Sequence, residues 1–180
     1  QKEWRQFVKH KELKVIPGLK PPGIQFKTDR SVQESHKEYR KVGNRRSQDL
    51  AFLGDILKSR NFHKAAFIEY QRAIDHSKLF SPILHNKLAK TYLATKEYAK
   101  AAMLLEKNLS HYPMFHTTLA SMGELYFDTG NMEKSREFYE RAIRVNPFNP
   151  FVHMRLMTIH QKLGKIKEKE LQTKLFGYID

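Results

Sequence analysis

The sequence contains no cysteine, which excludes disulfide bonds, thiolate metal sites and cysteine nucleophiles. It also contains no apolar run of the roughly 18 to 20 residues that a membrane-spanning helix needs. The first ten residues, QKEWRQFVKH, lack the apolar centre of a signal peptide, and the chain does not begin with methionine. We therefore expect a mature or excised piece of a longer protein, and the absence of cysteine leaves its compartment open.

The common catalytic and cofactor-binding motifs are absent as well. The sequence has no GxGxxG, HExxH or GxSxG pattern. Gly164-Lys165 is followed by Ile166 and lacks the upstream glycine of a phosphate-binding loop. An enzyme would need a site assembled from scattered residues, so we predict a protein that is not an enzyme and that needs no cofactor or metal.

Acidic residues are few, because 33 lysines and arginines stand against 19 aspartates and glutamates and give a formal net charge of +14. The excess is densest at the start: residues 1–46 hold 13 basic and 5 acidic residues, and residues 47–180 hold 20 and 14. A strongly basic protein favours nucleic acid, anionic lipid or an acidic partner. Basic residues scattered over helix exteriors are more often a solvated surface, which is the simpler explanation here.

Residues 1–46 are predicted to form a basic N-terminal extension. The spacing of apolar residues indicates a short amphipathic helix over residues 1–13. Two proline–glycine clusters exclude a helix over residues 15–28, so an extended strip is expected to lie along the rest of the chain or a neighbouring domain. A polar helix is predicted over residues 31–41, broken at residues 43–44. The apolar side chains of this first helix and of the strip are Trp4, Phe7, Val8, Leu13, Val15, Ile16, Leu19, Ile24 and Phe26.

The most regular pattern lies in residues 116–147. It places Gly123 in the middle of one helical stretch, Gly130-Asn131 at a break and Pro147 at the end. This pattern resembles the tetratricopeptide repeat, a unit of about 34 residues that folds into two antiparallel helices. The other residues that carry the resemblance are Leu119, Met122, Tyr126, Ser135, Tyr139 and Ala142.

Each of these positions has a physical reason. Two helices that cross closely need a small residue where their backbones meet, so Gly123 is accepted in mid-helix although glycine costs about 1 kcal/mol against alanine there. Tyr126 and Tyr139 are expected to fill the space on either side of it. Gly130 tolerates the left-handed conformation that closes a helix, and Pro147 stops the next one.

The same spacing recurs along the chain. Gly54, Ala89, Gly123 and Met157 are separated by 35, 34 and 34 residues, and this constancy predicts an array of repeats. The resemblance implies an all-α solenoid of the tetratricopeptide type, a right-handed superhelix of antiparallel helix pairs over residues 47–180. Its predicted repeats are 47–81, 82–115, 116–149 and, as a partial or capping repeat, 150–180.

The first and last repeats depart from the pattern. In the first repeat, the second helix is ambiguous by one residue, because Phe62 and Tyr70 cannot both take the places that the pattern gives them. In the fourth, Lys169 and Thr173 stand where alanine and an aromatic residue are expected, which is typical of a terminal helix that faces water. Four apolar side chains of that last helix are nevertheless expected to be buried: Ile166, Leu171, Leu175 and Phe176.

The resemblance also implies a binding surface, because the first helices of such repeats usually line a concave groove for a peptide or a helix of a partner. A clamp for the carboxylate tail of a chaperone is not expected, since only Asn86 and Lys90 suggest it and Ala120, Ser121 and Glu124 occupy the following helix. Helix register predicts nine residues near the groove: Asp55, Lys58, Ile83, Asn86, Lys90, Glu124, Phe127, Met154 and Thr158.

Nine histidines are the main argument for a metal site. His153 and His160 share a helix face but lie two turns apart, which is too far for one ion. His111 and His116 flank a loop and are close enough in sequence to meet. Because His85, His153 and His160 fall where the repeat takes a large residue, we predict that these rings pack in the core and bind no metal.

A second resemblance is carried by Glu3-Trp4-Arg5, the extended strip, the sequence NPFNP at residues 146–150 and the following Val152-His153. These features resemble the tail of large bacterial proteins in which such repeats follow a peptidase-like, gluzincin-type domain. The resemblance implies that a zinc site lies upstream and that these residues form its binding arm. It favours the bacterial cytoplasm or periplasm, and of these the periplasm or envelope.

The leading hypothesis is a non-enzymatic scaffold that binds a peptide segment or partner helix in the groove. One alternative is a basic module for nucleic acid or an anionic envelope surface, acting through residues 1–46 and the lysine-rich end (Lys162, Lys165, Lys167, Lys169 and Lys174). Another is an accessory domain of a peptidase-like protein. Phosphate-driven binding weakens steeply with salt, whereas groove binding barely responds, so salt separates the first two.

Overall fold

The computed structural model describes residue 39 and residues 41–177. In that part of the chain, eight α-helices are joined by turns and bends, with no strand. The fold is therefore all-α, as the sequence predicted. The helices are α1 (Arg45–Ser59), α2 (His63–His76), α3 (Pro82–Ala94), α4 (Tyr98–His111), α5 (His116–Asp128), α6 (Met132–Val145), α7 (Pro150–Lys162) and α8 (Ile166–Phe176).

The helices form four antiparallel pairs that stack side by side. Each first helix packs against the second helix of its own pair: α1 on α2, α3 on α4, α5 on α6 and α7 on α8. Each second helix also contacts the first helix of the next pair, and α3 contacts α5 directly. First helices of successive repeats are thus neighbours, which is the arrangement of a solenoid.

The close crossings fall at the predicted small residues. A Cβ atom added to Gly54 would lie 2.7 Å from the ring of Tyr70, and one added to Gly123 would lie 2.8 Å from the ring of Tyr139. In the second repeat Ala89 has a Cβ atom, and the residue sixteen positions later is Leu105 in place of tyrosine; both are fully buried in one cluster. The extra carbon on one helix is matched by a narrower side chain on the other.

A left-handed residue turns the chain between the two helices of every pair. Gly130 has φ +83° and Gly164 has φ +69°, while Asn61 and Lys96 adopt φ values of 63° and 61° at the corresponding turns. Asparagine visits this region more readily than other side chains, and lysine rarely does. The sequence signalled the turns that carry glycine, whereas nothing about Lys96 as a residue type indicates its conformation.

Capping side chains fix where several first helices begin. The Asn44 side chain accepts a hydrogen bond of 2.8 Å from the backbone N–H of Ser47 at the start of α1. Ser81 and Asn149 cap α3 and α7 in the same way, each followed by a proline in the first turn. The helix predicted over residues 1–13, the strip over 15–28 and most of the helix over 31–41 lie outside the described residues.

Burial resolves the ambiguity in the first repeat and corrects one expectation about the fourth. Tyr70 is fully buried whereas the Phe62 side chain is 59% exposed, so Tyr70 occupies the core position. The expectation that α8 buries its apolar residues is wrong for three of them. Ile166, Leu171 and Leu175 are 68%, 56% and 38% exposed, because no described helix stacks on the outer face of α8.

Within the described residues, none of the helices combines the length and the apolar character that crossing a bilayer would require.

Candidate functional site

The first helices share a cavity of about 450 Å³, here called the groove cavity. Its walls come from four successive first helices. Lys58 projects from α1, Lys90 and Ala94 from α3, and Ser121 from α5. The other lining residues are Leu93, His116, Thr117, Ala120, Glu124, Asp128, Asn149 and Phe151.

A smaller cavity of about 180 Å³ adjoins the groove cavity. The two share Lys58, Lys90 and Thr117, so they form one continuous surface along the first helices. The smaller cavity is lined further by Asp55, Tyr70, Asn86 and Lys87.

The first repeat carries a partly buried polar unit at one end of this surface. Asp55, directly after Gly54, accepts a hydrogen bond of 2.5 Å from the Tyr70 hydroxyl. Lys87 of the next first helix forms an ion pair with the same carboxylate at 2.8 Å. The hydroxyl of Tyr39 also donates to Asp55, so three side chains donate hydrogen bonds to this carboxylate. We call a carboxylate held by a second-helix tyrosine and a cation of the next repeat a carboxylate unit.

The third repeat carries a second carboxylate unit in the same register. Glu124, directly after Gly123, accepts a hydrogen bond of 2.6 Å from the Tyr139 hydroxyl. Arg155 of the next first helix donates to both carboxylate oxygens through Nε and Nη2. The guanidinium also lies 4.6 Å from the ring centre of Phe127, which holds it in place. Burial and the Glu124 carboxylate raise the pKa of Tyr139, so its hydroxyl keeps the donated proton.

The second repeat, which lies between these two, has no carboxylate unit. Lys90 follows Ala89 where the neighbouring repeats have an acid, Leu105 replaces the tyrosine, and Ser121 replaces the cation of the next helix. Both Lys90 and Ser121 line the groove cavity. The cavity therefore opens where the internal unit is missing.

Charge is divided between the two sides of the groove cavity. Burial, with the nearby ammonium groups of Lys90 and Lys87, lowers the pKa of Lys58 from 10.5 to about 8, although Asp55 acts in the opposite direction. On the other side, burial and the neighbouring Glu124 carboxylate raise the pKa of Asp128 above its usual value. Burial is the largest cause of both pKa shifts, and the nearby cations of Arg155 and Lys96 act in the opposite direction on Asp128.

The predicted groove residues divide into two sets. Five of the nine line the groove cavity, the smaller cavity or both, and they come from α1, α3 and α5. These five are Asp55, Lys58, Asn86, Lys90 and Glu124.

The other four lie apart from these two cavities. Ile83 is buried and lines a separate cavity at the start of α3. Phe127 is half-buried and packs against the cations of Arg155 and Lys162. Met154 is 46% exposed, and the Thr158 hydroxyl donates to its backbone carbonyl at 3.1 Å.

Sequence reasoning missed two cations and an acid that shape the site: Lys87, Arg155 and Asp128. Lys87 and Arg155 stand two residues before Ala89 and Met157, at one register position. A comparison of repeats at that position would have found them, because the alternation of lysine, serine and arginine is visible in the sequence.

The histidines that fill predicted core positions are buried. His85, His153 and His160 are 7%, 2% and 3% exposed, as their places in the repeat predicted. His153 joins the last two helices, since its ring nitrogens lie 2.8 Å from Gln172 Oε1 and 2.7 Å from the carbonyl oxygen of Pro147. His111 stacks on Phe80 with ring centres 4.3 Å apart. Among the residues the structure describes, no three His, Asp or Glu side chains are grouped closely enough to hold a metal ion.

The comparisons with known proteins agree with this architecture. A family model for the tetratricopeptide repeat matches residues 116–149, the third helix pair. A relative in Guillardia theta, uncharacterized protein ycf37, is 26% identical over 137 residues, covering 74% of this chain and 75% of that protein.

Two solved structures share the fold. The thermophilic TPR protein TTC0263 of Thermus thermophilus has a TM-score of 0.66 at 20% identity, over 74% of each chain. The first TPR of Spaghetti (RPAP3), bound to the HSP90 peptide SRMEEVD, has a TM-score of 0.60 at 20% identity and covers 68% of this chain and 97% of that one. At such identities the likeness concerns the fold, which is the predicted helical solenoid.

Proposed function

We propose that this chain, which has the fold of tetratricopeptide-repeat proteins and a matching third repeat, is a non-enzymatic scaffold that binds a segment of a partner protein. The segment, a peptide stretch or a helix, lies along the first helices in the groove cavity and the smaller cavity. The observation that carries the proposal is the continuous open surface that α1, α3, α5 and the start of α7 build together.

The composition of this surface suits a polypeptide ligand. Binding sites combine apolar contact area with a few placed polar groups that fix orientation. Here Leu93, Ala94 and Ala120 supply apolar contact, while Lys58 and Glu124 supply charge on either side. The RPAP3 structure, which shares this fold, is bound to the HSP90 peptide SRMEEVD, and this supports a peptide as the ligand.

A single substitution tests the site without disturbing the core. Ala94 is exposed at the end of α3 and lines the groove cavity, so Ala94→Trp fills the cavity with a large ring. Ala99→Trp is the matched control, because Ala99 is exposed near the start of α4 and does not line either cavity. Circular dichroism of both variants establishes that the fold is retained.

The ligand probe is a displayed library of random twelve-residue peptides, followed by affinity measurements on the enriched sequences by fluorescence polarisation. We expect peptides that bind the wild type and Ala99→Trp equally and bind Ala94→Trp at least about tenfold more weakly, a difference of about 1.4 kcal/mol. A library that yields no enriched peptides, or peptides that bind Ala94→Trp as well as the wild type, would overturn the proposal.

The basic alternative makes a different prediction for the same protein. Binding of a labelled RNA or of anionic vesicles through the lysine-rich end would weaken by orders of magnitude between about 50 and 200 mM salt. Ala94→Trp would leave that binding unchanged. Strong salt-sensitive binding of this kind, together with an empty peptide selection, would favour the basic module. The accessory role beside a peptidase-like domain stays a prediction.

A further inference from the structure

Resting on the proposed function, we propose that the groove cavity has an occupant within this chain. The strip of residues 15–28 lies in the groove cavity when no partner is bound, and a partner segment binds by displacing it. Ile24 and Phe26 are the apolar side chains of the strip that stand nearest in sequence to the described part of the chain. Partner binding is therefore in competition with an intramolecular contact.

The first support is the place where the chain enters the fold. Tyr39 is 1% exposed, and its hydroxyl donates to the Asp55 carboxylate at 2.5 Å and lies 3.3 Å from the carbonyl oxygen of Ala51. The ammonium nitrogen of Lys87 lies 4.9 Å from the centre of the Tyr39 ring. Asp55 and Lys87 both line the smaller cavity. Tyr39 thus stands at the edge of the groove surface, and the residues before it start from there.

The length of the intervening chain allows the strip to reach the groove cavity. Phe26 and Tyr39 are 13 positions apart, a stretch that spans up to about 40 Å when extended. The distance to be covered is much shorter. Lys58, which lines both cavities, follows Asp55 by three residues, a rise of about 4.5 Å along α1. The strip therefore reaches the groove cavity with length to spare.

The composition of the strip suits an extended ligand for an apolar surface. Its three prolines, Pro17, Pro21 and Pro22, restrict the backbone before binding, so little backbone freedom is lost when the strip binds. Proline-rich extended segments bind in grooves that present apolar and aromatic side chains. The groove cavity presents the side chains of Ala94 and Phe151, both of which are exposed.

A buried amide oxygen in the smaller cavity supports the same path. Asn86 is only 4% exposed, and its Oδ1 atom has no hydrogen-bond partner within the described part of the chain. The backbone N–H groups of an extended segment are not bonded within that segment, so one of them can donate to this atom. Because the smaller cavity adjoins both Tyr39 and the groove cavity, a strip that follows this path passes Asn86.

The covalent connection makes even a weak contact effective. A short flexible connection gives a local concentration in the millimolar range. A strip whose dissociation constant as a free peptide is roughly 0.1 mM would then occupy the groove cavity about ten times as often as it leaves it, and would weaken the binding of an outside peptide about tenfold.

A single spin label in the full chain measures the position of the strip. The sequence has no cysteine, so Gln25→Cys is the only site that a nitroxide reagent modifies. We expect the label to broaden the backbone amide resonances of Thr117 and Ser121, which line the groove cavity. The resonances of Ile68 and Leu171, which line neither of the two cavities, should be affected much less. Groove resonances that are broadened no more than these two would overturn the inference.

Release of the strip should strengthen partner binding. Ile24→Ser with Phe26→Ser removes two apolar side chains, and Gln25→Ser with Lys27→Ser is the matched control at alternate positions of the same segment. We expect the enriched peptides to bind the first variant about tenfold more tightly than the wild type, and the control within about twofold of it. In the first variant, the label at Gln25→Cys should no longer broaden Thr117. Equal affinities for the wild type and the first variant would overturn the inference.

The outcomes separate this inference from the proposed function. Peptides that bind in the groove, as shown by their loss on Ala94→Trp, together with an unbroadened Thr117 resonance, would overturn the inference and leave the scaffold intact. Broadened groove resonances with an empty peptide library would make the strip a permanent part of the fold. That result would overturn the proposed partner site and the inferred competition together.

Discussion

The third repeat and the second repeat solve the same packing problem in different ways. In the third, Gly123 lets the Tyr139 ring lie against the helix backbone, and the ring hydroxyl then reaches Glu124. In the second, Ala89 and Leu105 fill the equivalent crossing with carbon alone. The polar solution ties three helices together, whereas the apolar solution leaves the cavity side of the repeat unoccupied.

Under the proposed function, stability and binding fall to different repeats of one array. The two carboxylate units hold neighbouring repeats in register through Lys87 and Arg155, each an ion pair with low solvent exposure. Between them, the second repeat has no such cross-link, and Lys90 and Ser121 line the groove cavity at the equivalent positions.

The largest expected effect comes from removing Leu105 from the crossing of the second repeat. Leu105 is fully buried, so Leu105→Ala should lower the free energy of unfolding by about 2–5 kcal/mol, through lost transfer free energy and a cavity. Urea denaturation followed by circular dichroism measures it. Leu171→Ala in α8 is the control and should change stability by less than about 0.5 kcal/mol, because Leu171 is 56% exposed. Equal losses for the two variants would contradict the assigned packing.

The second prediction replaces the glycine–tyrosine crossing of the third repeat by the alanine–leucine crossing of the second. Gly123→Ala should lower the free energy of unfolding by about 1–3 kcal/mol, because its Cβ atom would meet the buried Tyr139 ring at 2.8 Å. Adding Tyr139→Leu recreates the pair of the second repeat and should make the double variant more stable than the sum of the two single changes predicts. Purely additive losses in a urea double-mutant cycle would mean that the two residues do not form the crossing.

The third prediction removes the ammonium group of Lys58 from the groove cavity. Burial lowers the pKa of Lys58 to about 8 in the folded chain from 10.5, so the folded state binds fewer protons than the unfolded state between these values. The contribution of Lys58 to the free energy of unfolding is therefore lowest below pH 8 and rises as the pH is raised. We expect Lys58→Met to raise the free energy of unfolding by roughly 1–3 kcal/mol at pH 7, with the gain shrinking towards pH 10. A gain that is the same at both pH values would contradict the assigned cause.

The smallest effect concerns the tyrosine–carboxylate hydrogen bonds of the two carboxylate units. Tyr139→Phe removes one donor to Glu124 while Arg155 remains, so the free energy of unfolding should fall by about 1 kcal/mol. Tyr70→Phe should cost less, because Asp55 keeps both Tyr39 and Lys87 as donors. Differential scanning calorimetry of the two variants compares them directly, and a larger loss for Tyr70→Phe would reverse the ranking of the two units.

Most of the fold could be predicted from the sequence, and less of the site. The small residues at the crossings, the turn at Gly130 and the burial of His153 follow from local sterics and a fixed spacing. The register also predicted Lys58, Lys90 and Glu124 as groove residues, and the structure has all three lining the groove cavity. All of these positions follow from one pattern that the repeats share.

What could not be predicted from the sequence depends on contacts between repeats. The role of Lys87 is decided by its pairing with Asp55 of the preceding repeat, 32 residues earlier. The exposure of Leu171 and Ile166 depends on whether another helix covers α8, which periodicity does not indicate. Local pattern identifies which face of a helix is buried, while the neighbours decide how far each side chain is buried.

The central claim is that a segment of a partner protein binds along the first helices in the groove cavity, and filling that cavity tests it most directly. Ala94→Trp places a large ring in the cavity, and Ala99→Trp places the same ring at an exposed position outside it. We expect the enriched peptides to bind Ala94→Trp at least about tenfold more weakly than the wild type, and Ala99→Trp equally well. Unchanged affinity for Ala94→Trp, with its fold intact by circular dichroism, would contradict the account.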